Sequence, residues 1–138
     1  MIGNGKNLHH LIYIDDLIDG MLLAGHSDKA PGHTFLLAGK EPIATNEMVN
    51  SIANQLGTGL PKFRAPLLPF LILSILMEKS LQPFGIQPPL HRRRMDFFKK
   101  SFVLSTEKAS RALGFSPQIS FPQGVSKTAQ WYTNNNLI

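Results

Sequence analysis

The sequence predicts a helix-rich α/β fold with a few short strands and about five helices. Two continuous apolar runs of strand length predict the strands: Leu11–Ile14 and His33–Ala38. Several longer stretches repeat apolar residues every three or four positions, which predicts amphipathic helices. At 138 residues the chain fits one ordinary domain with a real core.

The first strand and helix lie within residues 9–25. Directly after Leu11–Ile14 come Asp15 and Asp16, and the apolar spacing then becomes helical, with Ile18, Met21, Leu22 and Gly25 on one face. An aspartate at such a junction accepts hydrogen bonds from the free N–H groups of the first helical turn. We therefore expect Asp16 to act as a structural helix cap.

The second strand, His33–Ala38, is continuously apolar, which suits a parallel-sheet strand covered on both faces. Thr45 is the expected N-cap of the next helix, and Gly57 is its expected stop. Met48, Val49, Ile52, Ala53 and Leu56 are predicted to form one apolar face of this helix.

The most hydrophobic passage, APLLPFLILSILMEKSL, follows a short edge strand predicted at Lys62–Pro66. Its apolar part, Ala65–Met77, is well short of the ~20 residues that span a bilayer. We expect a buried or interface helix beginning near Pro69. A membrane-lying helix is the alternative, but the segment lacks a clear polar face.

The C-terminal third begins with a proline-rich linker, Gln82–Leu90, which leads into the basic run HRRRMDFFKKS. Ser105 is the expected cap of a short helix that packs Ala109, Ala112 and Leu113 inward and ends at Gly114. Ser120 and Gln123 have capping-box spacing for a last helix, with Pro122 in its first turn. That helix groups Val125, Ala129 and Tyr132 on one face.

Composition excludes several function classes. The chain has no cysteine, so disulfides, thiolate zinc sites and a cysteine nucleophile are excluded. No N-terminal signal is visible, and a cytoplasmic location is expected. Residues 1–61 hold three lysines against six acidic residues, a net charge of −3, whereas residues 62–111 hold ten basic against three acidic residues, a net charge of +7. The basic middle predicts an anionic partner.

Few residue patterns point to chemistry directly. Arg92, Arg93 and Arg94 can grip phosphate oxygens bidentately, and the alternative is a solvated run paired with Asp96. Nucleic-acid binding is not expected from one short basic run without a known motif. His9 and His10 lack converging ligands for a metal, and no linked Ser–His–Asp arrangement exists for nucleophilic catalysis.

The order of these segments resembles the C-terminal half of an extended short-chain dehydrogenase/reductase of the NAD-dependent epimerase/dehydratase family. The matching stretches cover nearly the whole chain: GNGKNLHHLIYIDDLIDGMLLA, GHTFLLAG, EPIATNEMVNSIANQLG, PPLHRRRMDFF and STEKASRALGFSP, followed by a terminal helix that ends in WY. The resemblance implies the C-terminal part of a Rossmann-type fold. Residues 1–60 would end the Rossmann core, and residues 61–138 would form a substrate-binding lobe.

The resemblance also implies an enzyme that uses NAD or NADP, bound by a glycine-rich loop, with a Tyr-x-x-x-Lys pair beside the nicotinamide. This chain has neither motif, because Leu17 follows Tyr13 and Asn136 follows Tyr132 at the lysine spacing. We therefore expect a fragment or truncated product that binds no cofactor, holds no catalytic residue and is inactive and prone to self-association alone.

Carried over residue by residue, the resemblance makes Asp16 a structural cap. It places Arg94, with Arg92 as the alternate, at a late phosphate- or substrate-contacting position. His9 falls near the position where nucleotide-sugar enzymes place an arginine for the diphosphate, and this departure weakens that assignment. Asn7 resembles the hydroxysteroid-dehydrogenase-like branch.

Three functions follow as hypotheses. The first is the substrate-binding portion of an enzyme that acts on a nucleotide sugar, with Arg94, Arg92, His9 and Asn7 contacting the substrate. The second keeps the enzyme class but takes a steroid-like or other apolar alcohol or ketone. The third is a non-catalytic binding module. The expected partner is a small-molecule substrate, and no metal, nucleic acid or membrane is expected to bind. A homodimer is one possible state of the complete enzyme.

Overall fold

The computed structural model describes residues 3–59, 65–81, 85 and 92–138, with residues 92–95 described by their backbone. The elements in chain order are β1 (Leu8–His9), α1 (Ile14–His26), β2 (Ile43–Ala44), α2 (Thr45–Gln55), α3 (Leu67–Leu81), α4 (Arg92–Lys99), α5 (Glu107–Leu113) and α6 (Phe121–Asn134). A helix-rich α/β fold with few short strands is therefore confirmed. Among the described residues no helix is both long enough and apolar enough to cross a membrane.

The chain divides into two compact units. Unit 1 comprises Met1–Asn7 and Pro61–Ser101, and unit 2 comprises Leu8–Leu60 and Phe102–Ile138. These units do not correspond to the two stretches, residues 1–60 and 61–138, into which the sequence was divided, because residues 102–138 pack with residues 8–60. The assignment of residues 61–138 to a substrate-binding lobe stays a prediction.

The described sheet of unit 2 is a short antiparallel pair, in which Leu8 lies opposite Ala44 and His9 opposite Ile43. Phe102 adds a parallel bridge to His9, and its N–H donates to the Leu8 carbonyl at 2.8 Å. The strands predicted at Leu11–Ile14 and His33–Ala38 are wrong in this structure. A strand needs a neighbour along its length, whereas the backbone bond that links these two regions starts from Gly39, the residue after the second segment, whose N–H donates to the Leu11 carbonyl at 2.9 Å.

Helix α1 buries a different face from its apolar one. Asp16 and Gly20 are buried, whereas Ile18, Met21 and Leu22, which the sequence places together on the apolar face, are 47%, 62% and 54% exposed. The reason is Gly20, where an added Cβ would lie 2.7 Å from Leu37 Cδ1 and 2.9 Å from Phe115 Cε2. The missing side chain lets these two residues approach the helix closely, so the glycine side of α1 faces the core.

The core of unit 2 forms around α5. Ala109, Leu113 and Phe115 are buried, and Ile12, Phe35 and Leu37 are among the side chains that pack against them. Helix α5 ends at Gly114 in the left-handed conformation, with φ of 72°, as predicted. The expected cap at Ser105 is displaced by one residue, because Thr106 occupies the N-cap position.

The two remaining helices of unit 2 begin with local hydrogen bonds. In α6 the Ser120 N–H and Oγ–H both donate to Gln123 Oε1 at 2.9 Å, which confirms the predicted pairing of these residues at the helix start. In α2 the N-cap is Ala44, whose N–H donates to Glu47 Oε2 at 3.2 Å. Thr45, the expected cap, is instead the first helical residue and is buried.

In unit 1, helix α3 packs against α4. Helix α3 begins two residues before the expected start at Pro69, which the first turn tolerates because its N–H groups need no helical partner. The arginine run, expected to follow an irregular linker, is the start of α4. The edge strand predicted at Lys62–Pro66 and the linker Gln82–Leu90 lie mostly outside the described residues.

Candidate functional site

Unit 2 contains a cavity of about 560 Å³ between α2 and α6. One wall is formed by the apolar face of α2 and the other by that of α6. The remaining wall comes from the segments at residues 11–13, 39–43 and 119–121. The lining is mostly apolar, with Leu11, Ile12, Ile43, Met48, Ile52, Leu56, Ile119, Phe121, Val125, Ala129 and Ile138 as its hydrophobic members.

Close packing at one side of the cavity depends on Gly124. A Cβ at this position would lie 2.9 Å from Tyr13 Cδ2, so the Tyr13 ring rests directly on the α6 backbone. The Lys127 Nζ lies 5.5 Å from the centre of the same ring and 3.7 Å from Asp15 Oδ2. These contacts connect the start of α1 to α6 and hold the cavity wall in place.

A few polar groups join the apolar lining: Tyr13, Lys40, Glu41, Ser120, Thr128 and Tyr132. Of these, the Thr128 hydroxyl already donates to the Gly124 carbonyl at 2.7 Å, and the Ser120 hydroxyl donates to Gln123. Apolar walls with a few polar groups are typical of sites that bind a largely hydrophobic small molecule.

Asp16 does not cap its own helix, which corrects the expectation from sequence. It lies inside α1, whose N-cap is Tyr13, and its side chain is almost fully buried. Its two carboxylate oxygens accept backbone N–H bonds from Gln118 at 2.8 Å and Ile119 at 3.0 Å. Asp16 therefore fixes the chain just before α6, which places the residues that begin the cavity wall.

The two histidines of β1 and its flank are used within the fold. His9 is 4% exposed, its Nε2 lies 3.1 Å from Thr45 Oγ1, and its ring stacks near Phe102. His10 accepts the Leu104 N–H at Nδ1, so its proton sits on Nε2, which donates to the Gly39 carbonyl at 2.9 Å. No group of three potential metal ligands occurs in the described part of the chain.

The other predicted substrate residues, Asn7, Arg92 and Arg94, belong to unit 1. Asn7 is buried, and its side-chain amide donates to the Phe97 carbonyl at 2.7 Å. It thereby anchors the helix whose first turns contain the arginines. Asp96, the proposed partner of the arginines, forms an ion pair with Lys100 at 2.7 Å. The substrate-contacting roles of these residues stay predictions.

Sequence reasoning missed the cavity, although its signal was present. The predicted apolar face of α2 supplies Met48, Ile52 and Leu56, and the predicted face of α6 supplies Val125, Ala129 and Tyr132. Each face was predicted from its apolar spacing, but nothing in the sequence indicated that the two helices face each other. Their pairing is a long-range contact that periodicity does not encode.

Comparison with known proteins yields relatives across almost the whole chain, while no protein-family model matches it. The mouse sterol-4-alpha-carboxylate 3-dehydrogenase, decarboxylating, is 30% identical over 94% of this chain and 38% of its own length. The dTDP-glucose 4,6-dehydratase 1 of Escherichia coli K12 is 26% identical over 96% of this chain and 31% of its own length. The chain thus spans well under half the length of these curated relatives.

The fold also matches solved structures. The crystal structure of UDP-glucuronic acid 4-epimerase from Bacillus cereus, in complex with UDP-glucuronic acid and NAD, aligns with a TM-score of 0.65 at 19% identity. The alignment covers 98% of this chain and 35% of the epimerase chain. The likeness at this identity is one of fold.

Proposed function

We propose that this chain forms the substrate-binding portion of an extended short-chain dehydrogenase/reductase of the NAD-dependent epimerase/dehydratase family. Its homologues and structural neighbours are enzymes of this family, and the chain matches their C-terminal parts. The relatives are enzymes, and the solved neighbours include complexes with NAD. The complete enzyme would transfer a hydride between a substrate carbinol or carbonyl carbon and NAD or NADP. This portion would hold the substrate.

The substrate that we propose is an apolar alcohol or ketone of steroid-like size. The carrying observation is the cavity between α2 and α6, whose volume of about 560 Å³ falls in the range of small-molecule sites. Its walls offer hydrophobic burial over most of their surface, while Tyr13 and Tyr132 place phenol groups beside it. A hydroxyl or carbonyl at one end of an apolar ring system fits that pattern.

The environment of His9 supports the same choice. At the position near which nucleotide-sugar enzymes of the family place an arginine, this chain has a histidine that is 4% exposed. Its ring contacts Thr45 and Phe102 within unit 2. A buried imidazole between these groups is poorly suited to binding a diphosphate, which needs accessible cationic donors.

A nucleotide sugar is the second candidate, and the arginine run supports it. Arg92, Arg93 and Arg94 belong to the first turn of α4, and a guanidinium group can bind phosphate oxygens bidentately. On this hypothesis Arg94, with Arg92 as its alternate, contacts the diphosphate. Arg94→Ala would weaken UDP-glucose binding by about tenfold, the loss expected for one charge-assisted contact.

The proposal assigns no cofactor to this chain alone. The Gly3–Gly5 turn is a poor dinucleotide loop, since it supplies only two of the glycines of the fingerprint and leads into the short strand β1 instead of a helix. The Gly3 N–H already donates to the Ala65 carbonyl at 3.0 Å, and the Lys6 N–H donates to Asn4 Oδ1 at 3.1 Å. These residues do not fit a pyrophosphate group, and we propose that the isolated chain turns over no substrate.

The experiment is equilibrium binding of a radiolabelled 3β-hydroxysterol and of UDP-glucose to the wild type, Ala129→Phe, Gln130→Phe and Arg94→Ala. Ala129 lines the cavity, whereas Gln130 is exposed on the same helix and serves as a matched control. We expect saturable sterol binding that Ala129→Phe weakens by about tenfold through steric filling, with Gln130→Phe unchanged. Sterol binding unaffected by Ala129→Phe, or UDP-glucose binding lost in Arg94→Ala, would reject the apolar substrate.

A further inference from the structure

The backbone reverses direction directly after α6, at residues 135–138. The Asn136 N–H donates to the Thr133 carbonyl at 3.0 Å, and the Leu137 N–H donates to the Tyr132 carbonyl at 3.0 Å. Asn136 itself is in the left-handed conformation, with φ of 54°. Two such bonds around a left-handed residue form a Schellman motif, which turns the chain at the end of a helix. Residues 135–138 are called the rim segment below.

The reversal brings Ile138 to the cavity between α2 and α6, which it lines. Ile138 is nevertheless 65% exposed, and Ile52 and Leu56 on the α2 wall of the same cavity are 41% and 45% exposed. Large aliphatic side chains that border an apolar cavity and stay largely in water lack apolar partners. A hydrophobic ligand in the cavity would supply those partners.

Hydrogen bonds hold the rim segment at its start. The Asn135 side-chain amide donates to the Trp131 carbonyl at 2.8 Å, which adds to the backbone bonds of Asn136 and Leu137. Within the part of the chain that the structure describes, Ile138 forms no hydrogen bond or ion pair. Ile138 can therefore move toward the cavity while the turn before it stays in place.

We propose that the rim segment closes the cavity over a bound apolar ligand, with Ile138 as the residue that covers it. The inference rests on the proposed function to the extent that the cavity binds a hydrophobic molecule. Closure exchanges water at Ile138 for contact with the ligand, and this burial of aliphatic surface favours the closed state. Because the contact forms after the ligand has entered, it slows dissociation more than it changes association.

A helix stop alone does not explain the position of Ile138. The Schellman motif is complete at Leu137, whose N–H forms its last bond. Leu137 is 58% exposed, close to the value for Ile138, but it is not among the residues that line the cavity. The two neighbours thus differ in position and not in exposure, which makes Leu137 the matched control.

The first test measures release of 1-aminoanthracene, a neutral aromatic fluorophore, from the wild type, Ile138→Ala and Leu137→Ala by stopped-flow fluorescence. We expect release from Ile138→Ala to be about tenfold faster, as for the loss of most of an isoleucine contact. Leu137→Ala should match the wild type, since it does not reach the cavity. Equal release rates for all three proteins would overturn the closure.

Further outcomes separate the closure from the proposed substrate. A fluorophore that does not bind, or whose binding Ala129→Phe does not weaken, would overturn the closure and the role of the cavity together. If the fluorophore binds and a 3β-hydroxysterol does not, faster release from Ile138→Ala still supports the closure, and the proposed substrate alone is rejected.

The turn supplies a second pair of variants. Asn136→Val should speed release about as much as Ile138→Ala does, because a β-branched residue rarely adopts a left-handed conformation. Asn136→Gly keeps that conformation accessible and should release the fluorophore at close to the wild-type rate. Equal rates for the valine and glycine variants would show that the turn does not position Ile138, which would contradict the proposal.

Contact between Ile138 and the ligand can be observed directly in the unaltered protein. NMR of isoleucine δ1 methyl groups should show nuclear Overhauser effects between 1-aminoanthracene and Ile138. Ile18, which is 47% exposed on α1 and does not line the cavity, should show none. A complex in which the Ile138 methyl group shows no such effect would overturn the closure, whatever the variants do.

Discussion

Helix α5 buries its leucine, whereas helix α3 exposes several of its leucines. Helix α5 is only seven residues long and half charged or polar, yet Leu113 is 8% exposed and Ala109 is fully buried. Helix α3 has 15 residues and is the most apolar helix described, yet Leu68 and Leu76 are 67% and 57% exposed. Burial is therefore determined by what surrounds a helix, and the hydrophobicity of its own sequence is a poor guide.

The largest expected effect comes from making the same substitution in both helices. Leu113→Ala should lower the free energy of unfolding by about 3 kcal/mol, because it leaves a cavity beside Ala109 and Phe115. Leu76→Ala removes a side chain that is mostly in water and should change it by less than about 0.5 kcal/mol. Urea denaturation followed by circular dichroism measures both, and similar losses for the two variants would refute the contrast.

A smaller effect is expected at Asp16, whose buried carboxylate stabilises unit 2 through hydrogen bonds and not through apolar packing. Asp16→Asn should cost about 2 kcal/mol, since the amide can accept from Gln118 or Ile119 but turns an NH₂ group toward the other N–H. Asp19→Asn, on the exposed side of the same helix, is the control and should be nearly neutral. Equal melting temperatures for both variants would show that the buried carboxylate is not needed.

Next in size is Gly39, where two predicted strand segments meet. A Cβ on Gly39 would collide with the Leu11 carbonyl oxygen, a backbone atom that cannot move aside cheaply. Gly39→Ala should therefore destabilise unit 2 by about 1.5 kcal/mol. Gly25→Ala has open space around it within α1 and should be neutral or stabilising, by up to about 1 kcal/mol. Changes in the free energy of unfolding that have the same sign and size for the two variants would contradict this prediction.

The smallest effect concerns the start of α6. Gln123→Ala removes the acceptor of the Ser120 N–H and Oγ–H bonds, and we expect a loss of about 1 kcal/mol. Gln130→Ala on the exposed side of α6 provides the control. Thermal unfolding should show a lower midpoint for Gln123→Ala only. A matching decrease for Gln130→Ala would contradict the role of these hydrogen bonds, because alanine itself favours a helix more than glutamine does.

The sequence predicted what depends on neighbouring residues. The pairing of Ser120 with Gln123, the stop at Gly114 and the inward face of α5 were correct because capping and helical periodicity act over a few positions. The apolar face of α1 was correctly grouped as Ile18, Met21 and Leu22, but periodicity shows that a face is apolar without showing whether it is buried, and these side chains are exposed. The face of α1 that is buried is determined by the close approach of Leu37 and Phe115 to Gly20, which is a tertiary contact.

The candidate site shows the same limit. Asp16 was expected to cap its own helix, and this was wrong because its partners lie 102 and 103 residues away and could not be read from the local pattern. His9 was considered a substrate contact, and only the fold reveals that its ring is buried beside Thr45 and Phe102. The cavity required the pairing of α2 with α6, which is equally long-range.

The central claim is that this chain supplies the substrate side of an oxidoreductase, and one titration tests it most directly. The protein is titrated with a radiolabelled 3β-hydroxysterol and, separately, with NAD and NADP, while bound and free ligand are measured at equilibrium. We predict saturable binding of the sterol, weakened in Ala129→Phe, and no saturable binding of either dinucleotide. Saturable binding of NAD or NADP without sterol binding would contradict the claim.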